Sequence, residues 1–250
     1  NGAAVIQMAN ALKRLKQNNI DSFFILGDHD ISRIRGTPIP FIYHNLEFSK
    51  YIGNGKPIEY KGVMLAGLDK IRKTEMSQYE ETFSNLDKIV EKFSGHKILV
   101  LHQGITEFNK FAGELQSTDL PKNFTYYAMG HLHDKDIKQF NHLKGPIAYP
   151  GSIELTTSEG IKDIKKGFFE VDISGDEAVP KWIELDTRPQ FSFNTEYKEL
   201  PKTIDQIIEK ISNLTKKPII EVKIQGEEIE TDQIQAQIAR LNALSLRCFW

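Results

Sequence analysis

The most restrictive feature of this chain is a series of short, nearly continuous apolar runs: SFFIL (22–26), VMLAGL (63–68), KILVLH (97–102), TYYAMG (125–130), PIAYPG (146–151), GFFEVDI (167–173) and KWIELD (181–186). Runs of roughly four to eight residues without polar alternation fit strands covered on both faces. Strands of that kind belong to layered α/β domains, in which helices and loops alternate with the strands and cover the sheet.

From Arg188-Pro189 the texture changes to FSFNTEY, an Ile-rich helical stretch, PIIEVKI, a second helical stretch and a final apolar strand. This predicts a separate small αβ unit, with one domain over 1–188 and a second over 189–250. Thr203 and Gln206, after Pro201, fit a capping box, and Ile204, Ile207, Ile208, Ile211 and Leu214 form one apolar stripe for the core. Val5, Met8, Ala9, Leu12 and Leu15 fall at helical spacing directly after a first residue that is not methionine, and LSLRCFW closes the chain with no turn after it. Both ends are therefore expected to be cut.

Composition narrows the class. The 250 residues suffice for a large domain and a satellite. No apolar run approaches the roughly 20 residues of a membrane helix. The single cysteine, Cys248, excludes a disulfide framework and suits a reducing compartment, so an intracellular, cytoplasmic location is expected. A formal charge of −2 provides no global attraction to nucleic acid. Any DNA binding would then need a local basic groove or metal ions.

Three of the apolar runs end in polar clusters: SFFIL leads into Gly27-Asp28-His29-Asp30, KILVL into His102-Gln103-Gly104, and TYYAM into Gly130-His131-Leu132-His133. In α/β sheets ligands gather at the carboxyl ends of strands, where loops carry polar groups on a rigid base. Imidazole nitrogen together with carboxylate oxygen suits borderline divalent ions such as manganese, iron and zinc, and His131 and His133 stand at a spacing that can offer two rings to neighbouring ions. Taken singly, a strand-end histidine is ordinarily structural, and Gly-Asp-His-Asp could be a turn whose aspartates cap the chain. Three such clusters together point to a metal site. His44, His96 and His142, in a helical stretch, a Gly-His-Lys turn and a polar loop, read as structural or solvated.

Gly27–Asp30, the lone His102 in VLHQG and the GHLH of 130–133 resemble, in order and separation, three motifs of the calcineurin-like metallophosphoesterases. More narrowly, ILVLHQGITEF, DLPKNFTYYAMGHLH and IAYPGSIE resemble the archaeal SbcD-type double-strand-break repair nucleases, and the resemblance covers nearly the whole chain. It implies a layered α/β/β/α sandwich followed by a small αβ capping domain. It further implies two divalent ions, manganese by preference, with Asp28, His102 and His131 on one and His133 on the other. His29 would lie over the scissile phosphate, stabilising the transition state or protonating the leaving oxygen, and Asp30 would orient its neighbours. The implied reaction is hydrolysis of DNA phosphodiesters at ends and single strands. The implied partners are DNA, an SbcC-type coiled-coil ATPase and a second copy of the chain, with Tyr43–Tyr51 as a candidate dimer segment, in a nucleoid-associated setting.

The chain departs from the family pattern in two ways. Asp28 stands where asparagine is usual, which strengthens the hold on a cation but adds negative charge beside a phosphate. The family's Asp-x-His pair and Gly-Asp-x-x-Asp/His motif are both absent from the 250 residues, and Gly175-Asp176 reads as a hairpin turn. The missing motifs are expected before Asn1, so the chain alone is expected to be inactive. Other metallophosphoesterases, such as a nucleotidase, cyclic-nucleotide phosphodiesterase or protein phosphatase, stand as alternatives. A non-catalytic DNA-end-binding scaffold is the reading from a different class.

Overall fold

The computed structural model describes residues 2–31, 36–72, 75–155, 160–161, 164–227 and 229–250. The chain divides into two compact units, Asn1–Gly151 with Phe169–Trp182, and Ser152–Phe168 with Ile183–Trp250. The second therefore takes in segments that precede the change of texture at Arg188-Pro189.

In the first unit α1 (Gly2–Gln17) leads to β1 (Phe23–Phe24), α2 (Phe41–Asn45) and β2 (Lys50–Tyr51), and β1 and β2 form a small parallel pair. There follow β3 (Ile58–Tyr60), β4 (Val63–Leu68), α3 (Ser77–Glu91), β5 (His96–His102), β6 (Tyr126–Gly130), β7 (Asp136–Lys138) and β8 (Ile147–Tyr149). The main sheet runs β3-β4-β5-β6-β8-β7. Its inner strands β4, β5, β6 and β8 are parallel, and the edges β3 and β7 are antiparallel. The fold is thus mixed α/β around a central mixed sheet.

Burial explains the arrangement. Leu99, Leu101, Tyr127, Ile147 and Tyr149 share one core with Phe83, Leu86 and Val90 of α3. On the opposite face Tyr126 and Ala148, with Ile98 and Ala128 half-buried, meet Ala178, Phe169, Val171 and Ile173. Strands covered in this way need apolar residues at successive positions, which is the pattern seen in the sequence. Gly67 is required on β4 because a Cβ there would stand 2.9 Å from the Ile52 carbonyl oxygen.

Several sequence expectations need correction. SFFIL yields only a two-residue strand, since Leu26 leaves the ladder to donate its amide to the Asp69 carboxylate. The short strands β2, β3 and β7 carry too few apolar residues to register as runs. His96 opens β5 instead of lying in a turn, with Nε2 2.7 Å from the Gly175 carbonyl and Nδ1 3.2 Å from Thr125 Oγ1. The helix expected at the start is α1, although none of its residues is fully buried.

The second unit carries β11 (Gln190–Glu196), α4 (Leu200–Ile211), β12 (Ile219–Gln225), α5 (Thr231–Ala239) and β13 (Arg247–Phe249), its three strands parallel in the order β11-β12-β13. Ile204, Ile207 and Ile211 of α4 pack with Ile220, Val222, Ile234 and Ile238. The expected capping box does not form. Helix α4 begins at Leu200 with Pro201 in its first turn, and Thr203 bonds Thr195 instead. Proline at that position lacks the amide a cap would satisfy and has φ preset for the helix. Strands β9 (Gly167–Asp172) and β10 (Val179–Glu184), most of whose residues belong to the first unit, pair, with Gly175-Asp176 in the connection, as the hairpin reading anticipates. Among the described residues no helix is long and apolar enough to cross a membrane.

Candidate metal centre

Strands β5 and β6 are parallel neighbours with His102 opposite Gly130, so their carboxyl ends coincide and His131 emerges beside His102. The turn after β1 brings Asp28 to the same rim. Asp28 Oδ2 lies 2.7 Å from His131 Nδ1 and 3.1 Å from His102 Nε2, and one donor atom from each residue falls within 4.8 Å of the other two. For metal–ligand bonds of roughly 2.0–2.2 Å, neighbouring ligand atoms stand about 3 Å apart, so these donors can close on one ion with little movement. Two imidazoles and a carboxylate suit a borderline divalent ion. The three side chains are half-exposed, which leaves the rim open to a substrate.

Glycines make the approach possible. A Cβ on Gly27 would stand 2.7 Å from His102 Cε1, and one on Gly130 would stand 2.7 Å from His102 Nδ1. The ring therefore lies between two backbones that only glycine allows so close. His131 has φ +91°, a conformation an L side chain rarely adopts and one that costs on the order of 1–3 kcal/mol. Strain of this kind persists where surrounding contacts over-determine the geometry. One contact of His131 is the 2.7 Å bond of its Nδ1 to Asp28, and Tyr149 separately fixes the exit from β5, its hydroxyl donating to the Gln103 carbonyl at 2.6 Å and accepting from the Ile105 amide at 3.1 Å.

A layer of charge supports the rim. Lys70 Nζ is nearly enclosed, 3.7 Å from Asp28 Oδ1 and 2.6 Å from Glu114 Oε1. Burial alone raises the Asp28 carboxyl, but the His131 hydrogen bond and the Lys70 charge outweigh it and hold the group below its ordinary value. Burial pushes the His102 imidazole down against the pull of Asp28. An ionised carboxylate and a neutral ring are the forms that bind metal. Asp69 accepts from the Leu26 amide at 2.8 Å and from the Tyr51 hydroxyl, and burial pushes its carboxyl up.

Of the residues expected from the sequence, Asp28, His102 and His131 converge. His133, two positions past His131 and half-buried, is not part of that cluster. His29 sits exposed on the turn beside Asp28. The carboxylate that closes the turn is Asp30, whose Oδ2 accepts from the Gly27 amide at 2.9 Å, so Asp30 caps the turn. Sequence reasoning missed Lys70, Glu114 and Asp69. Asp69-Lys70 follows the apolar run 63–68 as the other polar clusters follow theirs, but it contains no histidine to mark it.

No family model matches the chain. It is 30% identical over 97% of its length to the DNA double-strand break repair protein Mre11 of Saccharolobus solfataricus, of which it covers 65%. It is 30% identical over 87% of its length to the Mre11 protein of Methanocaldococcus jannaschii, covering 59% of it. With that of Thermoplasma acidophilum the identity is 29% over 96% of the chain and 65% of the relative. The chain thus spans less than two thirds of the length of these curated relatives.

Proposed function

This chain is a relative of the archaeal Mre11 double-strand break repair proteins, and on that premise we propose that it carries the histidine-rich half of the metal site of a DNA nuclease. The observation that carries the reading is the meeting of Asp28, His102 and His131 at the carboxyl ends of β5 and β6, a donor set suited to a divalent ion. Two such ions, manganese by preference, supply the positive charge that polarises a phosphodiester and the acidity that activates water. Asp28, His102 and His131 would hold one ion, and His133 would serve the other. His29, exposed beside Asp28, reaches over the scissile phosphate and delivers a proton to the leaving oxygen. Asp30 fixes the turn that aims both neighbours.

In this reading the first domain is a layered phosphoesterase sandwich, the second caps bound DNA, and cutting is exonucleolytic at ends and endonucleolytic on single strands. The partners are an SbcC-type ATPase and a second copy of the chain, the latter through Tyr43–Tyr51, in a nucleoid-associated setting. An Asp-x-His pair occurs nowhere in the 250 residues. On this reading the 250 residues alone bind one ion without sustaining turnover.

The test separates holding from chemistry. Calorimetric titration of the chain with manganese should show a site that Asp28→Ala removes and Asp28→Asn only weakens. In a nuclease-competent longer form, His29→Ala should leave manganese binding intact while turnover falls by roughly 10²–10⁴-fold. Equal manganese binding by Asp28→Ala and the parent would overturn the site, and unchanged turnover in His29→Ala would make that residue structural.

A further inference from the structure

The stretch 104–115 leaves the rim at Gly104 and returns to it. The Thr106 amide donates to the Leu115 carbonyl at 2.8 Å, and the Glu114 and Leu115 amides donate to the Gly104 carbonyl at 2.9 and 3.1 Å, which closes the neck of a compact loop. The loop is stiff. Asn109 Oδ1 accepts from the amides of Phe111 and Ala112 at 2.9 and 3.2 Å, and a Cβ on Gly113 would stand 2.6 Å from Thr106 Cα. It is also pinned to the metal centre. Glu114 pairs with Lys70 behind Asp28, and the position of a Gly104 Cβ lies 1.8 Å from the Ala112 carbonyl oxygen and 3.3 Å from His131 Cδ2.

The loop carries two phenylalanines with opposite fates. Phe108 turns inward, its ring centroid 4.9 Å from that of Tyr149, so the loop's need for an apolar anchor is met there. Phe111 is fully exposed, at 103% of the reference area, with Lys110 next to it. Single apolar residues on a surface are ordinary. Phe111 differs in that its backbone is held by hydrogen bonds, and it stands one residue from Ala112, whose carbonyl oxygen packs against Gly104, the glycine that also faces the His131 ring. A phosphodiester held at Asp28, His102 and His131 brings its own nucleobases to that rim. An exposed aromatic ring on a held backbone, with a cationic residue next to it in sequence, offers a stacking face to a base of any identity.

We infer that Phe111 is a base-stacking position for an unpaired nucleotide next to the scissile phosphate, making the 104–115 loop a substrate-positioning element. The inference rests on the reading of the site as a DNA nuclease. The test titrates the whole chain and three variants with a single-stranded oligonucleotide containing 2-aminopurine, whose fluorescence is quenched by stacking, and measures manganese binding alongside. Phe111→Ala should weaken oligonucleotide binding roughly 10-fold or more, the scale of one base–aromatic stack, and relieve the quenching. Phe111→Trp should bind at least as well as the parent, and Phe111→Leu, apolar but not planar, should resemble alanine. All three should bind manganese as the parent does. Parental affinity and quenching in Phe111→Ala, or parental behaviour in Phe111→Leu, overturns the stacking role while leaving the nuclease reading intact. Failure of the parent itself to bind the oligonucleotide overturns both.

Discussion

The rim around Asp28, His102 and His131 and the core of the second unit are both built at parallel strands, yet they use their residues in opposite ways. In the second unit Ile204, Ile207, Ile220 and Val222 are fully buried against one another, and the apolar stripe of the helix accounts for the packing. At the rim the backbone comes within a glycine's width of a histidine ring, one histidine holds a positive φ, and a lysine–glutamate pair is nearly enclosed. The first arrangement gains stability directly from burial. The second spends stability to hold donor atoms about 3 Å apart, and its glycines and ion pair make sense only as supports for that geometry.

If that contrast is right, the largest effect on folding belongs to the second unit. Ile207→Ala should destabilise it by about 2–5 kcal/mol, the usual range for a buried large-to-small change, with manganese binding by the first unit unaltered. Chemical denaturation followed with a manganese titration checks both halves. A drop in metal affinity would break the separation.

Next comes Gly130→Ala, which should cost about 1–3 kcal/mol by overpacking against the His102 ring and should also weaken manganese binding, because the ring that must yield is a donor. Gly175→Ala in the β9–β10 connection is the matched control. A Cβ there meets nothing within 4 Å, so stability should stay level or rise slightly and metal binding should not change. Equal behaviour of the two variants would remove the argument that glycine at the rim serves the site.

How much of this was legible beforehand follows the same division. The inner strands β4, β5 and β6 were visible because burial on both faces leaves continuous apolar runs, and the α4 stripe because helical spacing repeats. Asp28 and His131 were found through their motifs although 103 residues separate them. The Lys70–Glu114 pair depends on two loops meeting, which no local pattern announces. The start of α4 was misplaced because Thr203 fits a cap by spacing, while Pro201 had already removed the need for one. Asp28, His102 and His131 stand in local motifs and meet in the structure, His133 stands in one of those motifs and does not join them, and the Lys70–Glu114 pair behind them has no local motif.

A smaller effect concerns backbone strain at His131. Both His131→Ala and His131→Gly lose the imidazole, so both should lose manganese binding. With φ at +91° the glycine variant should nevertheless be the more stable of the two by about 1 kcal/mol, the reverse of the order within α4, where glycine is less favourable than alanine by about as much. Thermal melts of paired Ala and Gly variants at His131 and at the exposed Lys202 of α4 measure the reversal. The same order at both positions would mean that the positive φ stores no strain.

The smallest expected effect tests whether the 104–115 loop is held from its outer side as well as at its neck. Glu107 accepts from the Ser117 amide at 2.9 Å and from the Ser117 hydroxyl. Burial alone raises this carboxyl, but the Ser117 bonds outweigh it and keep it below the ordinary glutamate value. A carboxyl whose folded pKa is depressed stabilises the fold at pH values above its unfolded pKa, roughly 4.3, and that contribution is lost as the pH falls through the depressed folded value. The parent should therefore lose loop protection in hydrogen exchange as the pH falls through the depressed folded value, whereas Glu107→Gln should already exchange faster at pH 7 and show a flatter acid dependence. The second unit serves as the internal reference, and its core amides around Ile220 and Val222 should be indifferent to the substitution. If the two proteins exchange identically across this range, Ser117 does not hold the loop through Glu107, and the stiffness that keeps Phe111 exposed has to come from Asn109 and the Gly104 neck alone.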